Sequence, residues 1–240
     1  MASDLTALLR PIDLFRGLDD DVLGATMAAS RRVACQAGGF LFHQGETAAT
    51  FYILVHGRVR LSHVTAEGHQ VVMRFFNPGD AIGIVAVLAQ ARYPASAEVI
   101  EAADTLAWDG AAFNALMERF PALSYNGLKL VAHRMGEYQD RVRELATERV
   151  ERRIARALLR LVSQSGRRTD AGIVIDIPLS RQDLAEMTGT TVYTVSRTLA
   201  AWEEHGIVRS ARKRVTVADP HRLVVIAEDL PGASGASPDA

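Results

Sequence analysis

The 240-residue chain has a single cysteine, Cys35. One thiol excludes an internal disulfide framework and any four-thiolate zinc or iron–sulfur centre built within one chain. Free cysteine usually behaves as a small hydrophobe, so Cys35 is expected to pack half-buried. No stretch reaches the roughly 18 uninterrupted apolar residues of a membrane span. The first residues, MASDLTALLRPIDLF, lack the basic and long apolar regions of a secretory leader. A cytoplasmic protein without membrane partners is the expectation. Net charge is also nearly absent at −1, but its distribution is uneven. Residues 1–146 carry 13 Lys+Arg against 16 Asp+Glu, whereas residues 147–240 carry 14 against 12. Without the three acids that follow Ile226, the second half stands at +5. A basic second half suits a polyanionic partner.

The length allows two modest domains, each with its own core. Residues 12–30 read as helical. From Arg31 to about Asp109, short apolar runs alternate with turn signals at Gly45, Gly57, Gly68 and Gly79. Such punctuation predicts an antiparallel barrel or roll, interrupted by a short helical turn within AIGIVAVLAQARYP. AAFNALMERFP reads as a helix stopped by Pro121. A long helix then carries Leu128, Val131, Met135, Tyr138, Val142 and Leu145 at spacings of three and four. That stripe is a seam, and a second copy of the same helix, in a parallel dimer, is the economical partner. A basic helix, TERVERRIARALLRLVSQSG, follows, with Leu158, Leu159, Leu161 and Val162 as its expected apolar face. Beyond it come a strand pair around IVIDIPL, a basic two-stranded wing in GIVRSARKRVTVADP and a last helix in HRLVVIAEDL. The predicted fold is α+β. A sensor roll covers 1–110, connecting and dimerising helices 111–146, a winged helix-turn-helix 147–226, and a disordered tail 227–240.

The segment SRQDLAEMTGTTVYTVSRTLAAWEEHG, residues 180–206, carries the most specific signal. Ser180 and Asp183 have capping-box spacing and start one helix. Gly189 supplies a sharp turn, and Thr190 or Thr191 caps the next helix. At 100° per residue, Val192, Val195, Leu199 and Trp202 share one face and should pack on the first helix. Tyr193 and Arg197 lie opposite, with Thr194 beside them and Ser196 at the edge. An outward Arg on a helix with short side chains at its start suits the major groove, where it reads a guanine edge bidentately. Ser180, Arg181, Thr191, Arg209, Arg212, Lys213 and Arg214 are the expected anchors around that reading surface, the wing cations and the Ser180–Arg181 pair binding phosphates.

Taken together, these pieces resemble the CRP/FNR family of bacterial transcription regulators over roughly residues 12–226. LFHQGETAATFYILVHG (41–57) is similar to the family's cyclic-nucleotide-binding-type roll signature, with Gly45, Glu46 and Gly57 in place and Phe42 departing from a usual small β-branched position. FFNPGDAIG resembles the strand and turn before the effector pocket. Residues 121–147 resemble the dimerising helix, and residues 180–206 with the wing resemble the family's winged helix-turn-helix. The resemblance implies an effector pocket between roll and dimer helix at Ile82, Gly83, Ile84, Val85, Ala95, Ser96, Tyr138 and Gln139. It also implies, as partners, duplex DNA with a palindromic site, a second copy of the chain, and RNA polymerase.

Several positions depart from the family pattern. The carboxylate that holds the ribose in cAMP-binding members aligns with Ile84, and the phosphate-binding Arg with Ala95. Only the hydroxyl, Ser96, remains, and one hydroxyl cannot offset the desolvation of a phosphate anion. Arg92 is the nearest cation in sequence. cAMP is therefore not the expected effector, and the cysteine count excludes the four-thiolate iron–sulfur branch. RYPASAEV, LAEMTGTTVYTVSRTLAAWEEHG and RVTVADPHRL look most like the branch that responds to nitrogen oxides, the nitrogen oxide reductase regulators, with haem as its sensor group. His43, His56, His63, His69 and His133 lie in the sensor half, and none stands out as an iron ligand. Another small apolar effector, or none, is the alternative. A regulatory ligand-binding module acting through protein partners is the other class. A catalytic cupin-like barrel is not expected, because residues 31–110 hold no His/carboxylate cluster with metal-ligand spacing. In the recognition helix, Tyr193 stands where the family usually carries a Glu four residues before the Arg.

Overall fold

The structure, a computed structural model, describes residues 7–230. Two compact units divide between Tyr138 and Gln139. In the first, a 3₁₀ turn at Asp13–Phe15 precedes helix α1 (Asp20–Ala28). The expected helix over 12–30 is therefore broken. Gly17 takes a left-handed φ of 72°, and Asp19 stands extended as the N-cap of α1.

The strands are β1 (Arg31–Cys35), β2 (Phe40–Phe42), β3 (Thr50–Val64), β4 (Gln70–Phe76), β5 (Ala81–Ile82) and β6 (Ser96–Asp109). They pair antiparallel in the order β1-β6-β3-β4, with β2 added on β6 and β5 on β3. The long β3–β6 ladder runs from Thr50↔Asp109 to Ser62↔Ser96 and slips register around His56 and Arg58. Gly57, at the slip, has φ 89°, and a Cβ there would stand 2.3 Å from the Ala102 carbonyl oxygen. Only glycine permits that bulge, which bends the ladder and helps the sheet to curl. Phe51, Trp108 and Phe113 fill the centre, with Phe51 stacked on Trp108 at 5.2 Å and edge-on to Phe113 at 4.5 Å. The Trp108 indole N–H donates to the Thr26 carbonyl at 2.8 Å, which ties α1 to the roll.

Helix α2 (Ile84–Leu88) is the short helical interruption, and α3 (Gly110–Arg119) starts at an Asp109 cap that accepts the Ala111 and Ala112 N–H groups. Pro121 ends the run of α3 and also opens the 27-residue α4 (Pro121–Thr147). That placement fits proline, since the first helical N–H has no partner to lose.

The second unit holds α5 (Val150–Ser165), β7 (Gly166–Thr169), β8 (Gly172–Ile175), α6 (Arg181–Thr188), α7 (Val192–Glu204), β9 (Val208–Ala211), β10 (Arg214–Val217) and α8 (Pro220–Glu228). Its sheet is antiparallel in the order β7-β8-β10-β9. The buried face of α5 is Ile154, Ala155, Ala157, Leu158 and Leu161, while Leu159 and Val162 are only half-buried. The expected face was thus rotated toward the C-terminus: small alanines count as core where helices approach closely, and a leucine-based reading overlooks them. Helix α8 runs through Ala227, which is fully buried, to Glu228. The tail expected to be disordered from residue 227 therefore starts later, since Ala227 and Glu228 complete α8, and its remainder from Pro231 onward lies outside the described residues.

Candidate nucleic-acid interface

The turn between α6 and α7 is built by local rules. The Ser180 hydroxyl accepts the Asp183 N–H at 3.0 Å, and Asp183 accepts the Ser180 N–H at 2.8 Å, a reciprocal capping box. Gly189 ends α6 with φ 59° and ψ 46°. Thr191 is the N-cap of α7: its Oγ1 accepts the Thr194 N–H at 3.1 Å, and the two hydroxyls pair at 2.9 Å. Val195, Leu199 and Trp202 are buried against the rest of the unit, as their spacing predicts. Val192 is not. It is 39% exposed at the first position of α7.

Tyr193 is 75% exposed, and Arg197, one turn on, is exposed on the same face. Residues i and i+4 on a helix are neighbours, so these two side chains form one exposed edge. The Thr191 and Thr194 hydroxyls are committed to the cap, and Ser196 is half-buried at the margin. Arg209, Arg212, Lys213 and Arg214 are all exposed on the wing hairpin. Its register pairs Arg214 with Ala211, leaving Arg212 and Lys213 as a two-residue tip in which Lys213 takes φ 53°. The Lys213 carbonyl accepts the Leu179 N–H at 3.1 Å, so the wing tip sits beside the start of α6. Ser180 and half-buried Arg181 follow at that helix N-terminus, where backbone N–H groups and the helix dipole favour an anion. The sequence-chosen polar residues are therefore assembled at the two helix starts and the wing of one unit. Two groups escaped the sequence reading. Arg167 and Arg168 are exposed on β7, and Arg141 and Arg153 reach the α6–α7 turn. Nothing in periodicity marks the second pair, since both contact backbone far away in sequence.

The expected effector positions fall in the sensor unit and along α4. Ile82, Ile84 and Ala95 are buried in the interior of the roll, Val85 is 39% exposed, and Gly83 is left-handed at the N-cap of α2. A Cβ on Gly83 would lie 3.1 Å from both the Phe42 and Tyr93 rings, which stack on each other at 3.7 Å. Ser96 accepts the Gln44 N–H at 3.0 Å, and Arg92 donates to the Gly45 carbonyl at 2.6 Å. Tyr138 and Gln139 are exposed on α4. Among the histidines, the His63 Nδ1 meets the Pro94 carbonyl at 2.8 Å and His43 packs on Phe40. Among the described residues, no group of three or more His, Cys, Asp or Glu is placed to hold a metal ion. Cys35 is half-buried.

On α4, Leu128, Met135 and Val142 are 65, 56 and 66% exposed, and Tyr138 and Leu145 are exposed with them. Val131 is half-buried. At the middle of the helix, Glu137 accepts from Arg74 at 2.8 Å and Arg134 at 2.9 Å, while Arg74 also meets Asp80 at 3.5 Å. Burial alone would raise the Glu137 pKa, but the Arg134 hydrogen bond and the charges of Arg74, Arg134 and His133 outweigh it and hold the carboxyl below its ordinary value.

The family model of the cyclic nucleotide-binding domain matches residues 32–120, and that of the Crp-like helix-turn-helix domain matches residues 152–226. A cyclic AMP receptor protein from Thermus thermophilus is 30% identical over 217 residues, spanning 90% of this chain and 97% of its own length. The nitrogen fixation regulation protein FixK of Bradyrhizobium diazoefficiens is 28% identical over 201 residues, 82% of each chain. The crystal structure of a CRP-family transcriptional regulator, also from Thermus thermophilus, superposes with a TM-score of 0.69 at 26% identity, covering 84% of this chain and 100% of that one.

Proposed function

The chain belongs to the CRP/FNR family of DNA-binding transcription regulators, and from that membership we propose that it works as a parallel homodimer joined along α4. It is a regulator and not an enzyme, as its relatives are. The observation that carries the dimer is the stripe of six apolar positions spaced three and four apart over residues 128–145, all but Val131 exposed. A lone helix gains nothing from such a stripe, whereas a second copy buries it. Two α7 helices held about 34 Å apart then enter successive major grooves of a palindromic duplex. Arg197 and Tyr193 read base edges, with Thr194 and Ser196 at the margin. Arg181, Arg209, Arg212, Lys213 and Arg214, with the Ser180 end of α6 and the Thr191 cap of α7, hold the phosphates and the register. RNA polymerase is the proposed protein partner.

The signal we assign is a small uncharged molecule rather than a cyclic nucleotide, although a relative is named for cyclic AMP. At the aligned ribose and phosphate positions stand Ile84 and Ala95, buried and apolar. The Ser96 hydroxyl is already engaged by Gln44, and Arg92 is tied to the Gly45 carbonyl. An anion entering there would lose its hydration without an ion pair in return. Nitrogen oxides remain the proposed signal on the branch resemblance. Haem, the group that branch implies, does not fit the packing around Gly83, where the Phe42 and Tyr93 rings already fill the space, so no step is assigned to it.

Selection of full-length protein on a random duplex library tests the whole reading. A two-fold site is expected, with affinity falling roughly 10³- to 10⁵-fold between 50 and 200 mM salt, as for six to ten phosphate contacts. Salt-insensitive or absent duplex binding would transfer the helix-turn-helix to a protein partner. An absorption spectrum after haem loading, with and without nitric oxide, tests the sensor. A stoichiometric complex that shifts with nitric oxide would overturn the packing argument.

A further inference from the structure

The second unit contains arginines that hydrogen-bond backbone carbonyls. Helix ends leave carbonyls without intrahelical donors, and those carbonyls carry the negative end of the helix dipole. At the C-terminus of α6, the Ala185 carbonyl takes the Gly189 and Thr190 N–H groups, and the Leu184 carbonyl takes the Thr188 hydroxyl at 2.6 Å. The Met187 carbonyl is satisfied differently: it accepts from Nη2 of Arg141, a residue of α4. Arg153 of α5 donates from Nη2 to the Gly189 carbonyl at 3.4 Å and from Nη1 to the Leu145 carbonyl at 3.3 Å. Leu145 completes the clasp, its Cδ2 lying 3.2 Å from the point where a Gly189 Cβ would stand.

Arg141 is sunk into this junction. Burial and, secondarily, nearby Arg160 lower its pKa to about 10, with Glu144 opposing both. It remains a cation at neutral pH. Glu144, only 5% exposed, is itself held by Arg160 through contacts at 2.7 and 2.8 Å. The end of α4 is thus bolted to the turn that joins the two DNA-facing helices.

We propose that Arg141 is a positioning residue for DNA recognition, whose guanidinium caps the carbonyl end of α6 and fixes the recognition helix α7 on the end of the dimerising helix. Only Gly189, Thr190 and Thr191 separate α6 from α7. A charge-assisted bond to the carbonyl just before that link removes much of its freedom. Without Arg141 the Met187 carbonyl loses its donor and the turn opens. Phosphate contacts tolerate a small rotation of the reading helix; bidentate base contacts do not. Arg141 therefore governs specificity more than affinity for duplex in general.

The inference rests on the DNA-binding function, so the wild-type chain is first used to select its site. Failure at that stage counts against the function and not against Arg141. Full-length Arg141→Met keeps the buried stem and removes the donors, Arg141→Lys restores one charged donor, and Arg143→Ala removes an exposed neighbour that pairs with Asp140. Each is measured on the selected duplex and on a scrambled duplex of equal length at one salt concentration. For Arg141→Met the expected result is a loss of tenfold or more on the selected duplex, less than twofold on the scrambled one, and an unchanged dimer by sedimentation. Amide exchange at Gly189–Thr191 should accelerate by tenfold or more in the same variant. Arg141→Lys recovers most of the ratio, and Arg143→Ala moves neither value. An equal change on both duplexes, no change on either, or a Met variant that unfolds at the assay temperature overturns the proposal.

Discussion

Tyr193 and Gly189 carry two different single-residue roles, the one proposed to read DNA and the other shaping the turn before the recognition helix. Arg197 lies in the open, one turn from a tyrosine that is 75% exposed. Arg197→Ala removes the proposed bidentate contact, about 1–3 kcal/mol, so specific binding should fall roughly ten- to hundredfold. Tyrosine both donates and accepts, and its ring packs on a thymine methyl, where a carboxylate only accepts. Tyr193→Glu should move the selected half-site toward the common family sequence, and identical selected sites for the two proteins would refute that assignment. Gly189 carries a different constraint. Its φ of 59° is left-handed, and Leu145 Cδ2 waits 3.2 Å from a new Cβ. Gly189→Ala should cost about 1 kcal/mol or more in thermal unfolding, since strain and crowding act in the same direction. The turn was partly legible in the sequence. The glycine between two helical patterns announced the turn, whereas the leucine that crowds it lies 44 residues upstream, beyond any local pattern.

At the scale of the element, reliable signals were those in which a residue acts on its own neighbours. The Ser180–Asp183 box, the Thr191 cap and the glycine-punctuated strands all follow from such local chemistry. Helix α5 shows where this stops: its core face is set by what packs on it, so Ile154 and Ala155 displaced the expected Leu159 and Val162. The Phe42–Tyr93 stack, between residues 51 positions apart, was equally invisible, though Phe42 was already conspicuous as a departure. The cluster on α4 was hidden for the same reason, since Arg74 and Asp80 come from the roll. It has a measurable signature. Because the Glu137 pKa is lowered on folding, its stabilisation is present above the unfolded value of about 4.3 and disappears as pH falls through the lower folded value. With the side chain 38% exposed, the effect is on the order of 0.5–1 kcal/mol. Glu137→Gln should lower the urea midpoint of the sensor transition at pH 6 and converge with wild type near pH 3.

For the whole molecule, the proposed dimer seam and the Arg141 contact to the helix-turn-helix lie on one helix. The seam residues Leu128, Met135 and Val142 are far more exposed than a monomer needs. In the proposed parallel dimer, Val142→Glu places a like charge opposite itself, so sedimentation should report monomers and the proposed two-fold site should lose affinity steeply. The unbroken course of α4 from Pro121 to Thr147 also has a bearing on how such regulators can be recombined. Each added residue turns a helix by 100°. One extra alanine after Tyr138 would carry Val142 and Leu145 off the stripe that holds Leu128 and Met135, and the two copies would no longer match along their length. Seven extra residues, two nearly complete turns, would restore the match. Sensor rolls and DNA readers of this kind should therefore be exchangeable only in phase, with functional chimaeras recurring at multiples of seven residues and failing between them.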